Sequence, residues 1–132
     1  MTTDNNKKKG IPLFIKIDKL MKRERLFADV KMNRKKLSVY LYTNETYLVD
    51  AIREAVGKTF SEYLSDMRLN NALQLIDEHP DMRLDNIVAD SGYGSYTQFY
   101  RSFTKKYGIS PTEYRQLSAK NNMDTIDNSI KK

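Results

Sequence analysis

Four side chains towards the C-terminal end of the sequence can form directed hydrogen bonds and fall at helical spacing. Tyr96, Thr97, Tyr100 and Arg101 recur at three- and four-residue intervals, so a helix through them exposes all four on one face. The Arg101 guanidinium can donate two hydrogen bonds to O6 and N7 of a guanine, and Thr97 can offer a hydroxyl or a methyl group to a base edge. The tyrosines can hydrogen-bond phosphate or pack on sugar. The side chains of this face are therefore suited to recognising a ligand by hydrogen bonds.

Two plainer roles remain open for the same face. Tyr100 can pack against Tyr96, and Arg101 can form a surface ion pair with Asp90 or Glu113. The side-chain types alone do not choose between these roles and DNA contact.

The residues needed for catalysis or for binding a metal are scarce. The sequence has no cysteine and a single histidine, His79. These counts exclude disulfide scaffolds, thiolate nucleophiles and multi-histidine metal centres. No glycine-rich phosphate loop occurs in the sequence, and His79 next to Pro80 is typical of a helix end. We therefore predict neither an enzyme nor a cofactor-binding protein.

Length and charge favour a small basic domain with a polyanionic partner. The chain has 132 residues and carries 23 Lys and Arg against 17 Asp and Glu, a net charge of +6. Residues 1–36 alone carry 12 basic and 4 acidic side chains, so they hold most of the positive charge. This segment is either a solvated tail or an arm that contacts phosphates.

No apolar run approaches the ~20 residues of a membrane span and no secretory signal is visible, which predicts a cytoplasmic protein.

The hydrophobic pattern predicts an all-α protein of about seven helices. Apolar residues recur at three- and four-residue spacing, and no alternating strand pattern appears. We divide the chain into a flexible basic leader (1–11), an N-terminal helix with a first helix-turn-helix (12–57), a linker helix (58–80), a second helix-turn-helix (81–119) and a polar tail (120–132).

Capping residues mark several predicted helix ends. Glycine suits a left-handed C-terminal cap, while Ser, Thr and Pro favour helix starts. The residues concerned are Gly57 and Gly108 at two ends, and Thr59 with Glu62, Ser95, and Ser110 with Pro111 at three starts. The same periodicity predicts that Tyr40, Tyr47 and Leu117 lie on buried faces.

An internal repeat carries most of the functional argument. Residues 37–52 and 87–103 each read as a short helix, a turn and a second helix. The alignment pairs Leu48 with Phe99, Ile52 with Phe103, Leu37 with Val88, Tyr42 with Tyr93, and Gly57 with Gly108. The second helix of such a unit can enter the major groove of DNA. Two related copies are stronger evidence than one.

The helix between the two copies has a length that suits B-DNA. It spans about 20 residues from Phe60 to His79, hence about 30 Å at 1.5 Å per residue. Successive major-groove faces on one side of the duplex are about 34 Å apart. A rigid helix of this length can hold two reading helices near that separation.

The most specific motif runs from Ile87 to Arg115. It comprises residues 87–93, then Ser95, Phe99, Arg101 and Phe103, then residues 105–111 and Tyr114-Arg115. This motif is similar to that of the AraC/XylS family of bacterial transcription regulators, in their DNA-binding domain. The resemblance covers about residues 34–118, with 60–64 and 68–72 resembling the family's linker helix. Residues 13–29 resemble the extra helix that precedes this domain in some hybrid two-component regulators.

The resemblance implies a DNA-contacting role for one face of the second unit. It places Tyr96, Thr97 and Arg101 at base-reading positions and Ser95 near phosphate, at the start of the recognition helix. Tyr100 and Lys105 complete this predicted site. The resemblance also leaves two roles open for Arg68, which is either a surface residue or forms a structural bond to the second unit.

Residue-by-residue transfer to the first unit puts Thr46, Val49, Asp50 and Arg53 on the exposed face of its second helix. Val49 can make only apolar contacts. Asp50 would face a polyanion, which is costly unless it accepts from a cytosine N4 or pairs with Arg53. The family often has a basic or amide side chain there. The first unit is therefore expected to read shape and phosphate, with backbone N–H groups at Thr43 and Asn44.

The sequence thus predicts sequence-specific binding to double-stranded promoter DNA and regulation of transcription. Activation would require RNA polymerase as a second partner, and no motif indicates that contact. The chain is either a stand-alone regulator or the C-terminal part of a larger protein with a sensor or effector domain. The alternative function is a helical protein-interaction module with weak or non-specific DNA binding, which Glu45, Asp50 and Glu54 favour.

Overall fold

The computed structural model describes the backbone of residues 2–130 and the side chains of residues 10–121. Within that range the chain forms seven α-helices, a short 3₁₀-helix at Leu26–Ala28, and no strand. This confirms the all-α prediction. The helices are α1 (Thr2–Arg23), α2 (Arg34–Tyr40), α3 (Glu45–Val56), α4 (Phe60–Glu78), α5 (Leu84–Asp90), α6 (Tyr96–Tyr107) and α7 (Pro111–Ile130). No helix in the described part of the chain is both long and apolar enough to cross a membrane.

The two terminal helices extend further than the hydrophobic pattern indicates. The leader predicted over residues 1–11 is helical from Thr2, and α7 continues to Ile130 through the segment predicted as a polar tail. Adding a residue to an existing helix is far less costly than nucleating a new one. A helix can therefore continue into polar sequence that has no apolar stripe.

The predicted caps are confirmed. Gly57 and Gly108 end α3 and α6 with φ of 68° and 76°, a left-handed conformation that glycine adopts without strain. Thr59 and Glu62 form the capping box before α4, because the Glu62 N–H donates to the Thr59 hydroxyl at 3.1 Å and the Thr59 N–H donates to the Glu62 carboxylate at 3.2 Å. Ser110 likewise accepts from the Glu113 N–H at 3.1 Å.

The chain divides into two compact units, with the boundary between Met67 and Arg68, inside α4. The first half of α4 contributes to the core of unit 1, and the second half contributes to the core of unit 2. The helix has 19 residues and a length of about 28 Å.

Unit 1 is built around the contact between α1 and α3. Ile17 and Met21 of α1 are fully buried with Leu37, Leu48 and Ile52. The helices approach closely at Gly10, where a Cβ atom would lie 2.5 Å from the Glu54 carboxylate.

A hydrogen bond also joins α1 to α4 in unit 1. The Tyr63 hydroxyl donates to Asp18 at 2.8 Å, and the Lys22 ammonium pairs with the same carboxylate at 2.8 Å. Burial, followed by the bond to Asp18, raises the pKa of Tyr63.

Tyr40 and Tyr47 are exposed, so their predicted burial is wrong. Tyrosine is compatible with either environment, and the apolar face of these short helices is filled by leucine and isoleucine.

Unit 2 is built around an aromatic core. Phe99 and Phe103 of α6 are fully buried, with their ring centroids 5.6 Å apart. Tyr114 of α7 meets Phe103 edge-on at 5.7 Å and donates its hydroxyl to Asp77 at 3.1 Å. Burial, followed by the bond to Asp77, raises the pKa of Tyr114. Leu117 is more than half exposed in this unit, so its predicted inward position is wrong.

The two helix-turn-helix units differ by one residue in the turn. Helices α2 and α5 correspond with an offset of 50 residues. The backbone hydrogen bonds of the two turns show the same offset. The Thr43 N–H donates to the Ser38 carbonyl, and the Tyr93 N–H donates to the Val88 carbonyl. Helices α3 and α6 correspond with an offset of 51 residues. The second turn therefore contains one additional residue.

This shift in register corrects part of the predicted alignment. The pairs Leu48 with Phe99 and Ile52 with Phe103 are confirmed, because all four side chains are fully buried at equivalent places. The predicted pairs Leu37 with Val88 and Tyr42 with Tyr93 are wrong by one position. Leu37 corresponds to Ile87, and Tyr42 corresponds to Gly92.

Candidate nucleic-acid interface

The N-terminus of α6 is fixed by its own cap. The Ser95 hydroxyl oxygen accepts from the Gln98 N–H at 3.2 Å, and the Gln98 side chain accepts from the Gly94 N–H at 3.1 Å. Ser95 keeps its hydroxyl hydrogen free to donate, because the capping bond uses only its oxygen. Phe99 and Phe103 anchor the inner face of the helix in the core. The opposite face is thereby held towards solvent.

The outer face of α6 carries the side chains predicted to contact DNA. Thr97, Arg101 and Lys105 are exposed, and Tyr96 and Tyr100 are 39% and 43% exposed. The ring centroids of Tyr96 and Tyr100 lie 6.2 Å apart, so Tyr100 packs partly against Tyr96, as the alternative role predicted.

Arg101 takes part in none of the ion pairs formed among the described side chains. Asp90, one of its two predicted partners, accepts a hydrogen bond from the Asn71 amide at 3.1 Å. The Arg101 guanidinium is therefore available at the surface of α6 to donate to a ligand.

The outer face of α3 is close to electrically neutral. Asn44, a predicted site residue, caps this helix. Its side-chain oxygen accepts from the Tyr47 N–H at 2.8 Å, so that oxygen is already used. Thr46, Asp50 and Arg53 are exposed, while Val49 is partly buried. Arg53 and Asp50 form an ion pair, one of the two arrangements expected for Asp50, with 3.8 Å between the guanidinium and the carboxylate.

The neighbouring charges on α2 and α3 are paired as well. Arg34 of α2 lies 3.3 Å from the Glu45 carboxylate of α3. The cations beside the outer face of α3 are thus neutralised by acidic residues of the same unit. Thr43 directly precedes the Asn44 cap, in the turn.

Polar residues of α4 hold the turn of the second unit in place. Arg68 is buried, and its guanidinium lies over the Tyr93 ring at 6.0 Å. Of the two roles left open for Arg68, the structural one is correct. The Asn71 amide donates to Asp90 and, at 3.0 Å, to the Ser91 hydroxyl. Sequence reasoning missed Asn71, although a polar side chain next to the apolar stripe of α4 was a usable signal.

Each unit contains one short helix, a turn, and a capped second helix whose outer face is exposed. This arrangement defines the class, a DNA-binding domain with two helix-turn-helix units. The sequence model of a family described as "Helix-turn-helix domain" matches residues 37–117, which is more than half of the chain. The chain belongs to this family of AraC-type helix-turn-helix domains.

The chain is similar to curated regulators over the same region. It is 29% identical over 77 residues to the uncharacterized transcriptional regulatory protein YesN of Bacillus subtilis, covering 58% of this chain and 21% of that protein. It is 32% identical over 75 residues to the melibiose operon regulatory protein of Escherichia coli K12, covering 57% of this chain and 24% of that protein. The chain therefore spans about a fifth to a quarter of the length of these relatives.

A solved structure shares the fold. The C-terminal domain of the two-component response regulator yesN from Fusobacterium nucleatum superposes with a TM-score of 0.70 at 23% identity. The match covers 79% of this chain and 98% of that one.

Proposed function

We propose that this domain binds duplex DNA sequence-specifically, with α6 and α3 in neighbouring major-groove segments, and that the protein containing it regulates transcription. The observation that carries this proposal is the outer face of α6. It presents Arg101, which joins none of the ion pairs among the described side chains, beside the exposed Thr97 on a helix with a capped N-terminus.

Base reading is assigned to α6. Arg101 donates two hydrogen bonds to a guanine, Thr97 contacts a neighbouring base through its hydroxyl or methyl group, and Tyr96 lies beside them at the start of the helix. Ser95 donates its free hydroxyl hydrogen to a phosphate at the helix N-terminus, where the helix dipole also favours an anion. Tyr100 and Lys105 contact the backbone on either side.

Backbone positioning is assigned to α3. The Asp50–Arg53 pair presents little net charge, so Arg53 is not a free phosphate ligand. Thr46 and Val49 are small enough to let α3 approach the groove. The Asn44 N–H, next to the start of α3, supports a phosphate contact, whereas the Thr43 N–H already donates to the Ser38 carbonyl.

The whole protein is proposed to be a larger regulator of which this chain is the DNA-binding part. The chain spans about a fifth to a quarter of its curated relatives, and one of these is named as a regulatory protein of an operon. One structure that it superposes on is the C-terminal domain of a response regulator. A sensor or effector domain is accordingly the proposed intramolecular partner.

Selection of bound sites from a random duplex pool tests the proposal. The expected result is a defined sequence motif, with affinity that falls linearly on a plot of log K against log salt. A second candidate, the protein-interaction module, is favoured by the acidic residues Glu45 and Asp50 on α3. Absence of duplex binding even at low salt would favour that module and reject DNA binding.

A further inference from the structure

Tyr42, in the turn between α2 and α3, combines backbone strain with almost complete exposure. Its φ is 52°, in the left-handed region that bulky L residues rarely adopt. Its side chain is 98% exposed, so burial does not compensate for this conformation. The equivalent residue of the second unit is Gly92, with φ of 92°, which adopts such angles without strain. Folding alone would therefore favour glycine at position 42.

The surface beside Tyr42 is aromatic and basic. A hollow of about 630 Å³ is lined by Asn33, Lys35, Lys36, Val39, Tyr40 and Tyr42. Lys36 is held by an ion pair with Asp29, and this bond raises its pKa. Lys35 is exposed and takes part in none of the ion pairs formed among the described side chains.

The arginines beside the outer face of α3 carry no free charge, because Arg34 and Arg53 are paired with Glu45 and Asp50. In a helix-turn-helix the first helix crosses the DNA backbone while the second enters the groove. Lys35 on α2 and the Tyr42 hydroxyl in the turn therefore lie on the parts of this unit that meet the backbone.

We propose that Tyr42 and Lys35 form the principal contact of the first unit with the sugar–phosphate backbone of duplex DNA. The Tyr42 hydroxyl donates to a phosphate oxygen, and the Lys35 ammonium pairs with a nearby phosphate. The contact positions the unit without reading sequence. This inference rests on the proposed DNA binding, and it explains why a strained tyrosine occupies a position suited to glycine.

The test compares Tyr42→Gly, Tyr42→Phe and Lys35→Gln on one selected duplex and one random duplex, with Val30→Ala as an exposed control outside the hollow. Tyr42→Gly is expected to raise the Tm by about 2–5 °C, because relief of strain exceeds the added entropy of the unfolded chain. It is expected to weaken binding to both duplexes by about three- to tenfold. Its salt slope stays unchanged, because no charge is lost.

The other two variants separate the hydroxyl from the charge. Tyr42→Phe is expected to lose as much affinity as Tyr42→Gly, and full affinity in Tyr42→Phe would overturn the hydroxyl assignment. Lys35→Gln is expected to weaken binding and to reduce the salt slope by about 0.9. An unchanged slope would overturn its phosphate contact.

The two proposals fail differently. If the parent chain binds DNA and Tyr42→Gly binds equally well, the backbone contact is refuted while DNA binding stands. If the parent chain binds no duplex, the proposed function itself is refuted.

Discussion

Replacement of Arg101 separates base reading from simple charge attraction. Arg101 is exposed and joins none of the ion pairs among the described side chains, so removing it breaks no intramolecular bond that would affect folding. Its whole effect should therefore appear in DNA binding. A bidentate contact to guanine is worth about 1–3 kcal/mol of discrimination, which corresponds to about a five- to 150-fold loss on the preferred site.

Two replacements of Arg101 separate the loss of base preference from the loss of charge. Arg101→Ala should lose both the base preference and one charge, and it should reduce the salt slope. Arg101→Lys keeps the charge but lacks the planar fork, so it should keep the slope and still lose discrimination at one base pair. Neither variant should change the Tm.

The assay is site selection followed by titration of the preferred duplex and its single-base variants at several salt concentrations. Lys120→Ala, which removes an exposed cation from α7, is the matched charge control. A selected motif that is the same in Arg101→Ala as in the parent chain would refute the assignment of Arg101 to a base.

Three further predictions test charge, core and titration. Asp50→Asn should tighten DNA binding about threefold and steepen the salt slope, because it releases Arg53 from an exposed ion pair that contributes little stability. Loss of preference at one base pair would mean instead that Asp50 accepts from a cytosine. Phe103→Ala should cost about 3–5 kcal/mol in urea unfolding, since the ring is fully buried, and a cost below about 1 kcal/mol would contradict the aromatic core. The raised pKa values of Tyr63 and Tyr114 mean that the unfolded chain loses these protons at lower pH than the folded chain. The contribution of these two tyrosines to stability should be constant below about pH 10 and fall above it, and Tyr63→Phe should flatten that fall; equal slopes in both proteins would contradict this.

Local features of the fold were predictable from the sequence. The caps at Gly57, Gly108 and Ser95 depend on the conformation of single residues and on bonds three or four positions away. The buried positions of Phe99 and Phe103 follow from helical periodicity, because each has only one face available. These predictions need no knowledge of the partner helix.

Features that depend on distant contacts were not predictable in the same way. The roles of Arg68 and Asn71 follow from the turn of the second unit, which lies more than 18 residues further along the chain. Tyr40 and Tyr47 belong to a residue type that suits both core and surface, so periodicity alone misplaced them.

The sequence alignment of the two units also did not reveal the one-residue difference between their turns. Both turns contain a tyrosine, and aligning these tyrosines hid the equivalence of Tyr42 with Gly92. Backbone hydrogen bonds and φ values resolve the register, and neither is visible in residue types.

The most direct test of base reading by α6 is competition between two duplexes. The labelled selected duplex is bound by the chain at moderate salt, and unlabelled selected or scrambled duplex is added. We predict that the scrambled duplex competes about a thousandfold less well, as expected for specific recognition. Equal competition by both duplexes would contradict base reading by α6.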